Sequence, residues 1–314
     1  PDNVRLLTFD DFKKAIDKVP LTTRIDFSGY AEPYLNKDCS KMIKYAHDRG
    51  HTICVYTTLV GTNRSDIDLL LDICLHPTRP FSAHDQENPL CIHLPDEGGV
   101  MPIRLTPKYF DSLKYLISKV NQLKLGFGTN IRLMTMDPEG VLHPKVQPFI
   151  EGGKIPFKFK AISRASNLDD VQIGIKAPTM TNYEGGIGKK TGKIYCKSDS
   201  LKNNVLIPNG DVQLCCTSPL GLEAKVANLF HDDYDEIFNG EPMKNIINSM
   251  SDVDGKDDLI CRKCENAIYK SDEKENPMKN KNIQETLNTL YTLLSSKSKV
   301  YYSRFGDGDF LIMQ

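Results

Sequence analysis

The sequence predicts an α/β protein, and three observations carry that expectation. Up to Pro148, short β-rich apolar runs alternate with stretches of helical periodicity, joined by short connections. This is the pattern of a parallel sheet or barrel, because parallel neighbours need a crossover and a helix supplies it. Beyond Pro148 glycines and prolines thicken, helical periodicity fades and a cysteine-bearing hairpin follows, so a second, smaller domain is expected there. At 314 residues the chain is long enough to bury a full core.

The elements follow in order. Thr8 and Asp11 approximate a capping box, and Phe9, Phe12, Ile16 and Val19 recur at helical spacing until Pro20 stops the helix. Arg24 to Ser28 reads as a strand running into the turn Gly29-Tyr30-Ala31-Glu32-Pro33. Asn36 is placed as the cap of a helix carrying Met42, Ile43 and Ala46, closed by Gly50. Thr52 to Thr57 is a second strand, and Ser65 is placed as the cap of a helix through Leu75. Leu90 to Leu94 is a third strand. Thr106-Pro107 opens a helix with Tyr109, Phe110, Leu113, Leu116 and Ile117 on one face, and Ile131 to Met134 is a fourth strand. Ligands of such sheets bind at the C-terminal strand ends, which selects Ser28 to Glu32, Thr57, Thr58 and His93. Gly29 lets the turn approach a ligand closely, and Glu32 either fixes the turn or pairs with an ammonium group.

In the second part, Val205-Leu206-Ile207 and Val212-Gln213-Leu214 flank Asn209-Gly210-Asp211, a strong hairpin signal. Cys215 and Cys216 follow it, Cys196 precedes it, and Cys261 and Cys264 form a C-x-x-C turn. Four thiolates from three separated stations suit either a tetrahedral zinc or the corners of a [4Fe–4S] cluster, and thiolate softness does not separate the two. Cys196, Cys215, Cys261 and Cys264 are the expected ligands, with Cys216 competing, since adjacent strand residues face opposite ways. Cys39, Cys54, Cys74 and Cys91 lie in apolar helix or strand contexts and read as core packing. A net charge of -1 gives no electrostatic reason to expect nucleic acid or an anionic membrane. There is no secretory apolar region, and no apolar run reaches the ~20 residues of a membrane span. A cytoplasmic chain with reduced thiols is therefore expected.

Several segments together resemble radical S-adenosylmethionine (SAM) enzymes. Phe27 to Asn36, F-S-G-Y-A-E-P-Y-L-N, resembles that family's Gly-x-Gly-Glu-Pro turn, whose backbone receives the amino group of the cofactor's methionine moiety. Tyr56 to Gly61 resembles the end of its following strand. Ile162 to Leu168 resembles the Ser-Arg-Ala-Gly-Asn segment that links such a core to an auxiliary-cluster domain, which brings in Ser163, Arg164 and Asn167. An arginine there can pair with a carboxylate or ribose oxygen. The region Cys196 to Cys264 is similar to the auxiliary domain called SPASM, including Val226 to Leu229 and Tyr234 to Gly240 between its cysteine stations.

The resemblance covers roughly residues 1–268 and implies a partial (βα)6 radical SAM barrel over 1–155 and a SPASM domain over 156–270. It further implies an auxiliary [4Fe–4S] cluster, SAM, a peptide or sugar substrate, and a reductase, flavodoxin or ferredoxin as electron donor. The chemistry implied is hydrogen abstraction by a 5′-deoxyadenosyl radical. One departure matters: the C-x-x-x-C-x-x-C loop that holds the catalytic [4Fe–4S] cluster is absent from the 314 residues. The start at Pro1 and the apolar end at Gln314 suggest a chain cut at both ends, the loop lost with the first strand; a naturally degenerate member is the alternative. As written, the chain is expected not to cleave SAM. A charged linker and a leucine-bearing helix are expected over 271–299. Ser303 to Ile312 resembles the opening of a D-type-fold glycosyltransferase domain, so 300–314 is assigned to its start, with Asp307 and Asp309 as possible nucleotide-sugar or metal ligands. The rival readings are a non-catalytic metal-binding (Fe–S or zinc) partner-recognition module and a zinc-stabilised structural domain.

Overall fold

The computed structural model describes residues 6–28, 31–78, 90–99, 103–125, 131–135, 141–152, 162–163, 190–196, 200–215, 224–255, 258–264, 267–269 and 310–313. The first part is a run of alternating strands and helices: α1 Phe9–Ile16, β1 Arg24–Phe27, α2 Cys39–Asp48, β2 Ile53–Thr57, α3 Arg64–Leu75, β3 Leu90–His93, α4 Pro107–Leu123, β4 Ile131–Thr135, α5 Gln147–Gly152 and β5 Ile162–Ser163. Strands β1 to β5 are parallel and neighbour one another in sequence order, as in the wall of a βα barrel.

Helix starts follow local chemistry. Thr8 Oγ1 accepts from the Asp11 N–H at 3.1 Å, and Thr106 caps α4 ahead of Pro107. Two expected caps are corrected. Asn63, two residues before Ser65, caps α3 in a reciprocal capping box with Asp66, which places its acceptor within reach of the third helical N–H. Asn36 does not cap α2, whose N-cap position is Asp38; the Asn36 side chain instead accepts from the Asp38 N–H and donates to the Leu7 carbonyl. Gly50 ends α2 at φ +99°, a left-handed conformation that lets the His51 N–H return to the Ala46 carbonyl.

The two faces of the parallel sheet differ. Ile25, Phe27, Ile53, Val55, Leu90, Ile92, Ile131 and Leu133 share one core with Phe12, Ile16, Ile43, Ile67, Leu71, Leu113 and Leu116 of the helices. The alternate residues on the other face include Cys54, Cys91 and Met134, a small separate cluster packed by Tyr56. Burial on both faces is what parallel strands require.

The second part contains β6 Ile194–Cys196, β7 Asn203–Leu206, β8 Asp211–Gln213, β9 Lys225–Asn228, α6 Glu236–Asn239, α7 Glu241–Ser251 and β10 Ala267–Tyr269. The expected hairpin is present, formed by β7 and β8. Its loop is a turn over 207–210, closed by Gly210 N–H to the Ile207 carbonyl, with Gly210 at φ +87°. A Cβ on Gly210 would lie 2.5 Å from the Phe230 ring, so both backbone and packing demand glycine. The last strand, β11 Phe310–Met313, belongs to the segment assigned above to a further domain. It pairs in parallel with β1 on one side and β7 on the other, giving the order β5-β4-β3-β2-β1-β11-β7-β8-β9. No helix among the described residues is long and apolar enough to cross a membrane.

Candidate functional site

Two regions carry the expected site residues. The first lies at the C-terminal ends of β1 and β2. Glu32 receives four hydrogen bonds on its carboxylate: Thr57 Oγ1 (2.6 Å) and Tyr34 N–H (3.2 Å) on Oε1, Thr58 N–H (2.6 Å) and Thr58 Oγ1 (2.5 Å) on Oε2. These fill the acceptor sites of a carboxylate. Glu32 therefore fastens the loop after β1 to the end of β2. Thr57 and Thr58 are its partners, and Ser28 and Ala31 flank the same loop; Gly29 and Tyr30 lie outside the described residues.

The loop leaving β2 is unusual in a way the sequence does not signal. Leu59, buried, adopts φ +66°, and the Thr62 hydroxyl donates to its carbonyl at 2.7 Å. Left-handed conformations at non-glycine residues concentrate at functional loops. Gly61 follows at φ +88°, where a Cβ would meet the Tyr34 carbonyl oxygen at 2.5 Å. The loop thus packs directly on the segment that Glu32 anchors.

His93 is buried at the end of β3, with its ring 6.2 Å from that of Tyr56, on the face with Cys54 and Cys91. The same face bears a pair that the sequence analysis missed. Arg24 grips Asp26 through two bonds, Nε–Oδ1 at 2.6 Å and Nη2–Oδ2 at 2.7 Å, with Asp26 buried. The signal available was a charged pair two apart in an apolar strand, which alternation puts on the face opposite Ile25 and Phe27. Ser163 pairs with Thr135 at the end of β5, and Arg164 and Asn167 lie outside the described residues.

The second region gathers the C-terminal cysteines. The C-x-x-C turn is a single 3-10 turn closed by Cys264 N–H to the Cys261 carbonyl, and Ala267, the first residue of β10, donates its N–H to the Cys264 carbonyl. Antiparallel pairing of β10 with β6 sets Cys196 opposite Ala267. Cys215 follows β8, where Leu214 is fixed by its N–H to the Ala224 carbonyl and by the Asn204 amide on its own carbonyl. All four thiols are partly exposed and reduced. Burial, then the charges of Cys215, Cys264 and Cys196, push the Cys261 thiol up to about 12. The four cysteines are thus electrostatic neighbours. Among the described residues, no three thiol, imidazole or carboxylate groups converge tightly enough to grip one ion. A donor set of four neighbouring soft thiols suits an iron–sulfur cluster and a zinc ion alike. Cys216, Asp307 and Asp309 lie outside the described residues.

What shapes the turn is Arg262, between the two cysteines and fully buried. Its guanidinium donates to the carbonyls of Gly192 (2.8 Å), Lys190 (3.2 Å), Ser249 (2.5 Å) and Asp252 (3.3 Å). It ties the cysteine turn to the segment before β6 and to the C-terminal end of α7, where carbonyls lack helical partners. Gly255, at φ +58°, leaves the space: a Cβ there would lie 2.9 Å from Arg262 Nη1. Neither Arg262 nor Lys190 is marked in the sequence as more than a polar residue near cysteines.

Comparison with known proteins bears on this second region. Residues 196–265 match the family model SPASM, an iron-sulfur cluster-binding domain. No curated protein matches the chain. Among solved structures, BtrN in an open conformation aligns over 83% of this chain and 80% of its own, at 11% identity and a TM-score of 0.41. The matched segment begins at Cys196 and encloses Cys215, Cys261 and Cys264. Over residues 196–265, then, the chain is similar to an iron-sulfur cluster-binding domain of the SPASM type.

Proposed function

We propose that the protein is an iron–sulfur, SAM-dependent radical enzyme acting on a peptide or carbohydrate, in which Cys196, Cys215, Cys261 and Cys264 hold an auxiliary [4Fe–4S] cluster. The observation that carries this reading is the coincidence of the SPASM match with four neighbouring thiols at its cysteine stations. When bound, the cluster supplies one-electron chemistry, and SAM with a catalytic cluster supplies hydrogen-atom abstraction. The protein's part is placement. Glu32 holds the loop after β1 against Thr57 and Thr58, presetting the backbone that receives SAM at the strand ends. The sheet face bearing Asp26, Tyr56 and His93 forms the wall toward the substrate. A reductase, flavodoxin or ferredoxin is the electron donor this chemistry needs.

The absence of C-x-x-x-C-x-x-C from residues 1–314 supports a second reading, a cluster-binding recognition module without SAM cleavage. Anaerobic purification with iron and sulfide analysis, followed by reduction in the presence of SAM, separates the two. The enzyme reading predicts about eight irons and 5′-deoxyadenosine from a polypeptide that also carries the missing loop. About four irons and no 5′-deoxyadenosine from that polypeptide would leave the recognition module.

A further inference from the structure

Lys190 belongs to no motif, yet three hydrogen bonds clasp it to the cysteine turn. Its N–H donates to the Arg262 carbonyl at 2.8 Å, and its own carbonyl accepts from Arg262 Nη1 at 3.2 Å. Its ammonium, part-buried, donates to the Cys264 carbonyl at 2.7 Å. The same segment packs closely on Gly255, where a Cβ would lie 2.9 Å from the Thr191 Cα and 3.0 Å from the Gly192 nitrogen. A positive charge is therefore held at the backbone of one expected ligand. A second cation at the turn, Arg262, directs its guanidinium at the four carbonyls that shape it.

We propose that Lys190 sets the reduction potential of the cluster held by Cys196, Cys215, Cys261 and Cys264. This rests on the iron–sulfur reading above. Four thiolates already concentrate negative charge, and a one-electron reduction adds one more. A fixed ammonium in a partly water-excluded setting stabilises the more negative, reduced state and so raises the potential. Lys190 is a positioning and charge residue, with its ammonium on the ligand's backbone.

The test is a redox titration, followed by electron paramagnetic resonance, of the whole chain loaded anaerobically with iron and sulfide, with iron counted in the same samples. Lys190→Met keeps its iron and titrates at lower potential than wild type, whereas Lys190→Arg stays close to wild type. If Lys190→Met fails to retain iron, Lys190→Gln, which keeps a hydrogen-bond donor without the charge, decides the matter: its midpoint must also fall. An unmoved midpoint in a fully loaded uncharged variant overturns this proposal alone. So does an equal shift in Lys190→Arg, which would assign the effect to packing. Absence of iron and sulfide from loaded wild type overturns the parent reading and this proposal together.

Discussion

The protein holds two sets of four described cysteines, and physical context makes them different residues. Cys39, Cys54, Cys74 and Cys91 are all buried, on helices or strands of the parallel sheet, where their thiols act as small apolar fillers. Burial raises the thiols of Cys39, Cys54 and Cys74 far from any reactive range, with Cys91 adding to the shift at Cys54 through a hydrogen bond. Cys196, Cys215, Cys261 and Cys264 are partly exposed and lie at strand ends and in a turn, and burial together with the other three raises the Cys261 thiol. A thiol surrounded by apolar atoms is a packing unit; a thiol surrounded by thiols needs a cation to become a ligand.

The largest expected effect tests that contrast directly. Cys261→Ala should abolish cluster retention, while Cys91→Ala should leave the iron count at the wild-type value and cost only about 1–2 kcal/mol in stability. Iron analysis and urea unfolding on the two variants give the answer, and equal iron loss in both would erase the distinction. Next comes Arg262→Met, which leaves four carbonyls without their charged donor and should destabilise the second region by about 3 kcal/mol or more. Its unfolding midpoint should fall, with Arg262→Lys recovering only part, because an ammonium lacks the planar fork. A smaller loss, about 2 kcal/mol, is expected for Glu32→Ala, which strands the Thr57 and Thr58 donors. Hydrogen exchange at the Thr58 amide should speed up in that variant, and iron content should not change.

The last expected effect is a pH dependence of the metal-free chain. The Cys261 thiol is raised in the folded state, so folding favours its protonated form. The resulting stability is complete below the unfolded thiol's ordinary range and is lost as pH rises through about 12. Alkylation of Cys261 by iodoacetamide should accordingly be slow at weakly alkaline pH and accelerate toward that value. Fast alkylation near neutral pH would mean that burial and the neighbouring thiols do not hold the Cys261 proton as the structure has them.

Much of this was legible in the chain, and the omissions share a cause. Alternation and spacing locate β1 to β4, α1 to α4 and the hairpin because those elements answer to local periodicity and turn chemistry. The caps expected at Ser65 and Asn36 fail because several polar residues compete for the same orphan N–H groups, and only tertiary placement chooses Asn63 and frees Asn36 for Leu7. Glu32, Thr57 and Thr58 were separately visible as strand-end residues, but their mutual bonding needs β1 and β2 side by side. Arg262 and Lys190 were invisible for the same reason: a charged residue near cysteines is normally solvated, and burial at this turn depends on segments 70 and 72 residues away in sequence.

The most direct test of the account is an anaerobic count of iron, acid-labile sulfide and zinc in wild-type chain reconstituted with all three available. The account predicts about four irons and four sulfides per chain, without stoichiometric zinc. One zinc per chain with no sulfide would contradict it, and would make the cysteine region a zinc-bound structural domain.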